Sequence, residues 1–328
     1  MDIHYTEDVL KKGFEQAVIN QQNDYEGKVV ITLIRKLSLK RSAKAILYIH
    51  GFNDYFFQAD VAEKFLKRDY NFYALDLRKY GRSILRSQKP NNVRHLSEYY
   101  DDIDKALAVI RDEGNTETVL FGHSTGGLII TLYASVRKES ALFDLLVCNS
   151  PFYDFNVPWI QKITVIPILS LLGRLRPNLT LPIGFSKFYG KSLHISDYGE
   201  WDYNLQWKPH VAPSINAGWI NAIHEGHLKI ANGISIDKPI LILHSSRSVY
   251  LSNWSEEIFD GDAILSVKDI IEKSKLIKSP CKNVIGFKGT IHDLVLSKIP
   301  ARNVVFETIF EWLNKKIRQE PVFDYNSK

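Results

Sequence analysis

The segment 118–127 limits the possible folds of this chain more than any other, because it reads TVLFGHSTGG. An apolar, β-branched run predicts a buried strand, a Gly/Ser turn follows it, and an apolar helical pattern begins at the serine. A G-x-S-x-G sequence in this context turns so sharply that only small residues fit two positions either side of the serine. The turn presents the hydroxyl of Ser124 at a helix N-terminus, where free N–H groups favour negative charge. We predict Ser124 as a nucleophile; the alternative is a Gly/Ser turn without chemistry.

Short apolar runs alternate with helical patterns along most of the chain. This alternation predicts an α/β fold with a largely parallel sheet and helices on both of its faces. The predicted strands are 29–36, 45–48, 71–77, 118–121, 145–148, 240–243 and 283–287. The predicted helices are 56–68, 96–111, 124–136, 267–276 and 301–317.

The alternation stops between residues 152 and 236, where proline and tryptophan are frequent and no strand–helix rhythm is visible. A long insertion between packed elements is usually functional, most often as a lid. We therefore predict a core formed by residues 1–151 and 237–328, and a cap formed by residues 152–236. Within the cap, residues 159–175 combine apolar side chains with basic ones. That pattern fits either transient contact with a lipid surface or a helix packing on the cap's own core.

Charge and apolar content exclude several classes of partner and location. The 42 basic and 37 acidic residues give a net charge of +5 without a long basic run, so nucleic acid is not a predicted partner. The N-terminus lacks the apolar core of a secretory signal, and the longest apolar stretch spans only residues 163–172. Cys148 and Cys281 lie in apolar segments and are predicted to be buried thiols. We expect a soluble, cytoplasmic protein, and the sequence leaves its oligomeric state open.

His292 is the predicted base for Ser124, since a serine hydroxyl is a weak nucleophile until an adjacent base takes its proton. It lies in a loop that follows the last predicted strand and precedes the last helix, at the sheet edge where Ser124 is expected. His123 is expected to pack beneath the turn. His224 and His227 form H-x-x-H rather than the H-E-x-x-H of a zinc site. Neither a metal nor a cofactor is predicted.

Attack on a carbonyl also needs two fixed N–H donors for the oxyanion that forms. The N–H of Thr125, directly after the nucleophile, is one predicted donor. The other is the N–H of Phe52, because His-Gly after the apolar strand at 45–48 lets the backbone turn towards the site. The alternative is a simple strand-to-helix turn.

Four segments together resemble the α/β-hydrolase superfamily. They are His50-Gly51-Phe52, the D-L-R-x-x-G-x-S stretch at 76–83, the Gly-His-Ser-Thr-Gly turn at 122–126, and His292. Within the superfamily they most resemble the lysophospholipase and monoacylglycerol lipase group, also labelled serine aminopeptidase S33-like. The resemblance implies an eight-stranded, mostly parallel sheet with an inserted cap, and hydrolysis through an acyl-enzyme. It does not imply a particular substrate.

The acid that would orient His292 departs from the pattern of that family, which places it just after the strand at 240–243. Here the window 245–249 contains no carboxylate. Asp262 begins a segment that resembles the family's Asp-x-Val-Val, displaced by about a dozen residues, and it is the favoured acid. Asp260 is the next choice. Asp293 is less favoured because the side chains of adjacent loop residues tend to diverge.

Three functions fit these residues. The leading one is a serine hydrolase that cleaves small-molecule esters of apolar acyl groups. An S33-type aminopeptidase or amidase would need an acidic cap residue for a substrate ammonium, and Glu200, Asp202 and Glu225 are available. The displaced acid leaves room for a non-catalytic ligand-binding protein on a hydrolase scaffold.

Overall fold

The computed structural model describes residues 3–181 and 187–317. The strands are β1 (Thr6–Glu7), β2 (Glu15–Asp24), β3 (Gly27–Lys36), β4 (Lys44–Ile49), β5 (Asn71–Asp76), β6 (Glu117–His123), β7 (Leu145–Asn149), β8 (Thr180–Leu181), β9 (Ile215–Asn216), β10 (Ile234–Ser235), β11 (Ile240–Ser245), β12 (Ile277–Lys278) and β13 (Lys282–Phe287). The helices are α1 (Ala59–Leu66), α2 (Glu98–Asp112), α3 (Thr125–Val136), α4 (Trp159–Ile163), α5 (Val165–Leu175), α6 (Lys187–Leu193), α7 (Ala217–Ala231), α8 (Val267–Ser274) and α9 (Ile299–Ile317).

Nine strands form one sheet in the order β1-β2-β3-β5-β4-β6-β7-β11-β13. The neighbours from β5 to β13 are parallel, and β1, β2, β3 and β5 pair antiparallel. The predicted mostly parallel sheet is therefore confirmed, with one more strand than expected because the two-residue β1 pairs at the edge. The sequence did not predict β2. This strand is largely polar, and its buried residues are Ala17 and Ile19.

Residues of each central strand alternate between two hydrophobic cores, because successive side chains of a strand point to opposite faces. In β4, Leu47 and Ile49 enter one core, whereas Ile46 and Tyr48 enter the other. Helices α2 and α3 cover the first face, and α1 and α9 cover the second. The apolar stripe that predicted α2 is buried at Tyr99, Ile103, Leu107 and Ile110. Helices on both faces therefore bury the sheet.

The predicted helix 56–68 begins only at Ala59. The N–H of Phe56 donates 2.9 Å to Asp76 Oδ1, so this part of the chain is fixed as a loop on the end of β5. Phe56 matches the helical spacing of apolar residues although it lies in a loop. It does so because its ring is buried in the second core, and a buried loop residue can match a helical spacing.

Between β7 and β11 the chain forms four helices and three two-residue strands in the part that the structure describes. Helices α5 and α7 cross closely: a Cβ added to Gly173 would lie 2.1 Å from the carbonyl oxygen of Ala217. Ser170 Oγ donates 2.9 Å to Asn221 Oδ1 across the same contact. Residues 182–186 of the predicted cap, and residues 1–2 and 318–328 of the predicted core, lie outside the described residues.

Cys148 is buried in β7, as predicted, but Cys281 is only half-buried. Cys281 directly precedes β13, the strand at the sheet edge, several of whose residues face solvent. The prediction that Cys281 is buried is therefore wrong, because the apolar run beside it forms an edge strand. Among the described helices, none is both long and apolar enough to cross a membrane.

Candidate active site

Strand β6 ends at His123 and α3 begins at Thr125, so Ser124 forms the whole turn between them. Its φ of 52° lies in the left-handed region that residues other than glycine rarely adopt. The turn is held by close packing: a Cβ on Gly122 would lie 2.5 Å from the carbonyl oxygen of Gly126, and one on Gly126 would lie 2.3 Å from that of Ile49. Glycine is therefore required on both sides of the serine.

Ser124 lies in a hydrogen-bonded series with His292 and Asp262. Ser124 Oγ is 3.0 Å from His292 Nε2, and His292 Nδ1 is 2.8 Å from Asp262 Oδ2. An ionised carboxylate can only accept, so Nδ1 carries the proton and Nε2 is left to accept from the serine hydroxyl. All three residues are buried, which shields these contacts from competing water.

Asp262 reaches His292 because the chain after β11 loops out and returns. The backbone closes at the neck of this excursion, where the N–H of Asp262 donates to Arg247 and the N–H of Val249 donates to Asp262, at 2.9 and 2.8 Å. Asp262 Oδ1 accepts from the N–H groups of Ile264 and Leu265 at 2.8 and 2.7 Å. One carboxylate oxygen is thus fixed by backbone, and the other faces the imidazole.

The two alternative acids make other contacts. Asp260 is exposed, pairs with Arg247 at 3.1 Å and accepts from the N–H of Gly289. Asp293 is buried and accepts 2.7 Å from the side-chain amide of Asn149. Burial raises the pKa of Asp293. The structure therefore brings Asp262, and neither Asp260 nor Asp293, within hydrogen-bonding distance of Nδ1 of His292.

The loop after β4, residues 50–55, lies against the serine turn and is called the β4 loop below. A Cβ added to Gly51 would lie 3.1 Å from Ser124 Cβ, so this backbone approaches the serine closely. Phe52 follows in the wall of the same cleft, and its ring contacts that of Trp219 with centroids 4.4 Å apart. Thr125, the other predicted donor, is the first residue of α3 and also lines the cleft.

His123 packs directly beside the series, with its ring 4.8 Å from that of His292. Its Nδ1–H donates 3.2 Å to the carbonyl oxygen of Asn149. Burial, and then the neighbouring imidazole of His292, lower the pKa of His123 well below its usual value. His123 is therefore neutral and adds no charge beneath the turn.

The cleft over Ser124 contains about 710 Å³ of space between atoms, part of which is open to solvent. Sequence reasoning missed two of its wall residues, Tyr189 and Lys208, because neither belongs to a motif. The Tyr189 ring lies edge-on to His292 at 5.6 Å, and its hydroxyl accepts from the N–H of Asp293. Lys208 pairs with Asp54 at 2.6 Å. Both pairings join a residue of the segment between β7 and β11 to a residue outside it.

The acidic residues considered for binding an ammonium lie elsewhere. Glu200 pairs with Arg302 at 3.2 Å, and Glu225 faces His95 at 3.4 Å. Asp202 is exposed. Among the described residues that line the cleft, Asp54 supplies the carboxylate, and it already pairs with Lys208.

His194, Asp197 and His210 form a group whose ligand atoms lie within 4.8 Å of one another, a spacing that could hold a metal ion. The ammonium of Lys191 is 2.8 Å from Asp197, which disfavours a second cation there. The hydroxyl of Ser196 also contacts His194 Nδ1 and the Asp197 carboxylate, at 2.7 and 3.2 Å. Hydrogen bonds and an ion pair account for this group without a metal.

Solved structures with the same fold include two monoglyceride lipases. A soluble variant of monoglyceride lipase from Saccharomyces cerevisiae, in complex with a substrate analog, matches with a TM-score of 0.66 and 17% identity, over 91% of this chain and 96% of that one. The monoacylglycerol lipase of Paleococcus ferrophilus matches with a TM-score of 0.62 and 18% identity, over 87% and 99%. At these identities the likeness concerns the fold.

Comparisons of sequence are more specific about the family of this chain than the structural matches are. Human epoxide hydrolase 4 is 26% identical over 144 residues, which is 38% of this chain and 38% of that protein, so little more than a third of the relative is matched. The pattern of the family described as serine aminopeptidase, S33 matches residues 40–295, which is most of the chain and includes both Ser124 and His292. The chain therefore belongs to the serine aminopeptidase S33 family of α/β-hydrolases.

Proposed function

We propose that the protein is a serine hydrolase that cleaves carboxylic esters of apolar acyl groups. The observation that carries this proposal is the series Ser124–His292–Asp262, with contacts of 3.0 and 2.8 Å at the base of a cleft. Such a series is the arrangement that activates a serine hydroxyl for attack on an acyl carbon.

In the proposed reaction, Ser124 Oγ attacks the ester carbonyl while His292 Nε2 takes its proton. The oxyanion that forms is bound by the N–H groups of Phe52 and Thr125. The tetrahedral intermediate then collapses, and the leaving alcohol takes the proton from His292. A water molecule attacks the acyl-enzyme with His292 as base, which releases the carboxylic acid and restores Ser124. Asp262 holds the imidazole in one tautomer and stabilises the imidazolium.

The lining of the cleft supports an apolar acyl group. Its apolar side chains surround Ser124 from the β4 loop, the cap and the excursion after β11, and they include Phe52, Phe152, Leu193, Ala212, Ile264 and Leu265. Burial of a methylene group in such a lining contributes about 0.8 kcal/mol. A longer acyl chain should therefore bind more tightly until the cleft is filled.

A lipid surface is the proposed source of such substrates. Helices α4 and α5 expose a row of large apolar side chains: Trp159, Ile160, Ile163, Val165, Ile168, Leu171 and Leu175. Arg174 and Arg176 are exposed beside this row, whereas Lys162 pairs with Asp269 at 2.6 Å. An apolar face flanked by exposed cations fits the interface of an anionic membrane.

Two other reactions are less well supported. An aminopeptidase would need a free carboxylate for the substrate ammonium, and the cleft carboxylate Asp54 is already paired with Lys208. Attack of Ser124 on an epoxide would give an ether, which has no carbonyl for water to attack, so the enzyme would not be released. Ester hydrolysis is the reaction that this series and the lining of the cleft together support best.

The test is hydrolysis of p-nitrophenyl esters from acetate to palmitate by the wild type and by Ser124→Ala, together with labelling by a fluorophosphonate. We expect activity and labelling in the wild type and neither in Ser124→Ala. Ser135→Ala is the matched control, since Ser135 lies on the same helix and its hydroxyl donates to the carbonyl of Leu132. A wild type that labels and cleaves amino-acid arylamides, but cleaves no ester, would favour the aminopeptidase; neither labelling nor cleavage of any substrate would favour a binding protein.

A further inference from the structure

Three consecutive residues of the β4 loop are held by the cap segment 204–209. Asn53 Nδ2 donates 2.9 Å to the carbonyl oxygen of Pro209, and Lys208 Nζ donates 2.6 Å to Asp54 Oδ1. The hydroxyl of Tyr55 accepts 2.7 Å from the N–H of Asn204. The loop that carries the proposed oxyanion donor is thus joined to the cap immediately after Phe52.

The ion pair in the middle of this contact is withdrawn from water. Asp54 is 1% exposed and Lys208 is 8% exposed. The ammonium also faces the rings of Phe57 and Tyr203, at 5.5 and 5.8 Å from their centroids. Moving Lys208 out to solvent would leave the Asp54 carboxylate buried without its cation, which is strongly unfavourable. The pair therefore locks the cap segment onto the loop.

The loop needs such support, because Asn53 has a φ of 51° and directly follows Phe52. An oxyanion donor must lie 2.7–3.1 Å from the oxygen that it stabilises, so a small shift of the loop removes its effect. Gly51 already packs against Ser124, which leaves the loop little freedom on that side. The cap contacts restrain the opposite side.

We propose that Lys208 is a positioning residue that holds the β4 loop, through Asp54, in the conformation that binds the oxyanion. This inference rests on the proposed function, since it concerns the same site. The oxyanion exists only after Ser124 has attacked, so the effect of Lys208 falls on kcat and not on the binding of the ester.

The test compares Lys208→Met with Lys191→Met. Lys191 is the matched control, because it also lies in the cap and pairs with a carboxylate, Asp197, at 2.8 Å, but contacts no residue of the β4 loop in the described structure. We expect Lys208→Met to lower kcat about 10²-fold with KM nearly unchanged. The affinity for an aliphatic trifluoromethyl ketone, whose adduct with Ser124 carries an oxyanion, should fall by the same factor. Lys208→Arg should restore part of the loss, and Lys191→Met should match the wild type.

Amide hydrogen exchange tests the inference without any substrate. Exchange across residues 50–55 should accelerate in Lys208→Met and remain as in the wild type in Lys191→Met, while α3 stays protected in both. If Lys208→Met does not fold, the double variant Asp54→Asn/Lys208→Met, which removes both buried charges, should fold and show the same changes.

The inference is overturned by unchanged exchange in residues 50–55, or by a Lys208→Met variant that loses affinity for the ester but keeps kcat. The latter result would make Lys208 a substrate-binding residue. Failure of the proposed function is recognised separately, by a wild type that cleaves none of the esters, and the exchange measurement still decides the role of Lys208 in holding the loop.

Discussion

Ser124 depends on its neighbours for a backbone conformation that costs about 1–3 kcal/mol in a residue with a side chain. Its φ is 52°, and the space for the turn exists only because Gly122 and Gly126 have no side chains. The N–H of Ser124 donates 2.9 Å to the carbonyl of Asn149 at the end of β7, which fixes the turn to the next strand. Backbone packing therefore fixes the position of the proposed nucleophile, independently of its side-chain contact with His292.

The first prediction concerns Gly126→Ala. The new methyl group would lie 2.3 Å from the carbonyl oxygen of Ile49 and 2.5 Å from that of His50, so β4 and α3 must separate. We expect a loss of several kcal/mol in the free energy of unfolding, as in other overpacked sites, together with loss of esterase activity. Urea unfolding and the ester assay measure both. A stable and active variant would show that the turn is looser than its packing indicates.

The second prediction separates the acids. Asp262→Asn should lower kcat by about 10⁴-fold, the loss found in serine proteases, because an amide cannot stabilise the imidazolium. Asp260→Asn is the control: it is exposed and pairs with Arg247, so its kcat should remain within a factor of about two of the wild-type value. Steady-state kinetics with one ester decide between them. Comparable rates for the two variants would exclude Asp262 as the acid.

The identity of this acid shows where sequence reasoning reached its limit at the scale of residues. The order Ser124, acid, His292 along the chain was available, but the window after β11 has no carboxylate and several acids follow it. The choice depends on where the excursion closes, and that closure is made by backbone hydrogen bonds at Arg247 and Val249. Backbone pairing between loop residues leaves no pattern in the sequence.

Helix α7 is joined to the segment that follows β7 through a buried histidine. His227 Nε2–H donates 2.8 Å to the carbonyl oxygen of Phe152, and the imidazole packs edge-on between the rings of Phe152 and Phe155. Burial lowers the pKa of His227 to about 4. The neutral imidazole is thus part of the contact, and its protonation opposes folding.

The third prediction follows from that pKa. In the unfolded chain His227 titrates near 6.5, so between pH 6.5 and about 4 the unfolded state binds more protons and stability falls as pH falls. By pH 5 this histidine should reduce the free energy of unfolding by about 2 kcal/mol relative to neutral pH. Urea unfolding of the wild type and His227→Gln at several pH values isolates its contribution, because the other titrating groups are shared. A difference between the two proteins that does not change with pH would contradict the assignment.

Elements with a clear period could be predicted, and those at the periphery could not. Strands β4, β6, β7 and β11 are buried on both sides, so their apolar runs stand out in the sequence. Strand β2 lies near the sheet edge and is largely polar, and β8, β9 and β10 have two residues each, which is too short to show a period. Hydrophobic periodicity in a sequence indicates burial, so elements that bury few residues show little periodicity.

For the molecule as a whole, the proposed contact with a lipid surface depends on charge as well as on exposed apolar side chains. The net charge is +5, and the exposed apolar row of α4 and α5 is flanked by Arg174 and Arg176. We expect such a distribution to orient the molecule on a negatively charged surface, with an attraction that is reduced by salt. Part of the cleft wall and the whole of this row belong to the segment between β7 and β11, so the proposed docking surface and the cleft share that part of the chain.

The fourth prediction tests this orientation. The double variant Ile168→Asp/Leu171→Asp should bind vesicles of anionic phospholipid at least about tenfold more weakly than the wild type in a sedimentation assay. It should also hydrolyse emulsified long-chain esters more slowly. Hydrolysis of dissolved short-chain esters should not change, since both residues face solvent. Leu39→Asp, a fully exposed leucine between β3 and β4, is the matched control. Equal vesicle binding by the wild type and both variants would remove the lipid surface from the proposal.

The closed neck of the excursion between Val249 and Asp262 makes this part of the protein a place where chain length can change at small cost. Doubling the length of a flexible closed loop costs only about 0.6 kcal/mol, and both ends here are held together by their own hydrogen bonds. Asp262 is fixed by Ile264 and Leu265 on the far side of the neck, so material added at the exposed residues Ser252 and Asn253 need not displace it. We expect this excursion to accept an inserted peptide or a small domain, and so to offer a point at which a new recognition element can be added beside the proposed reaction centre.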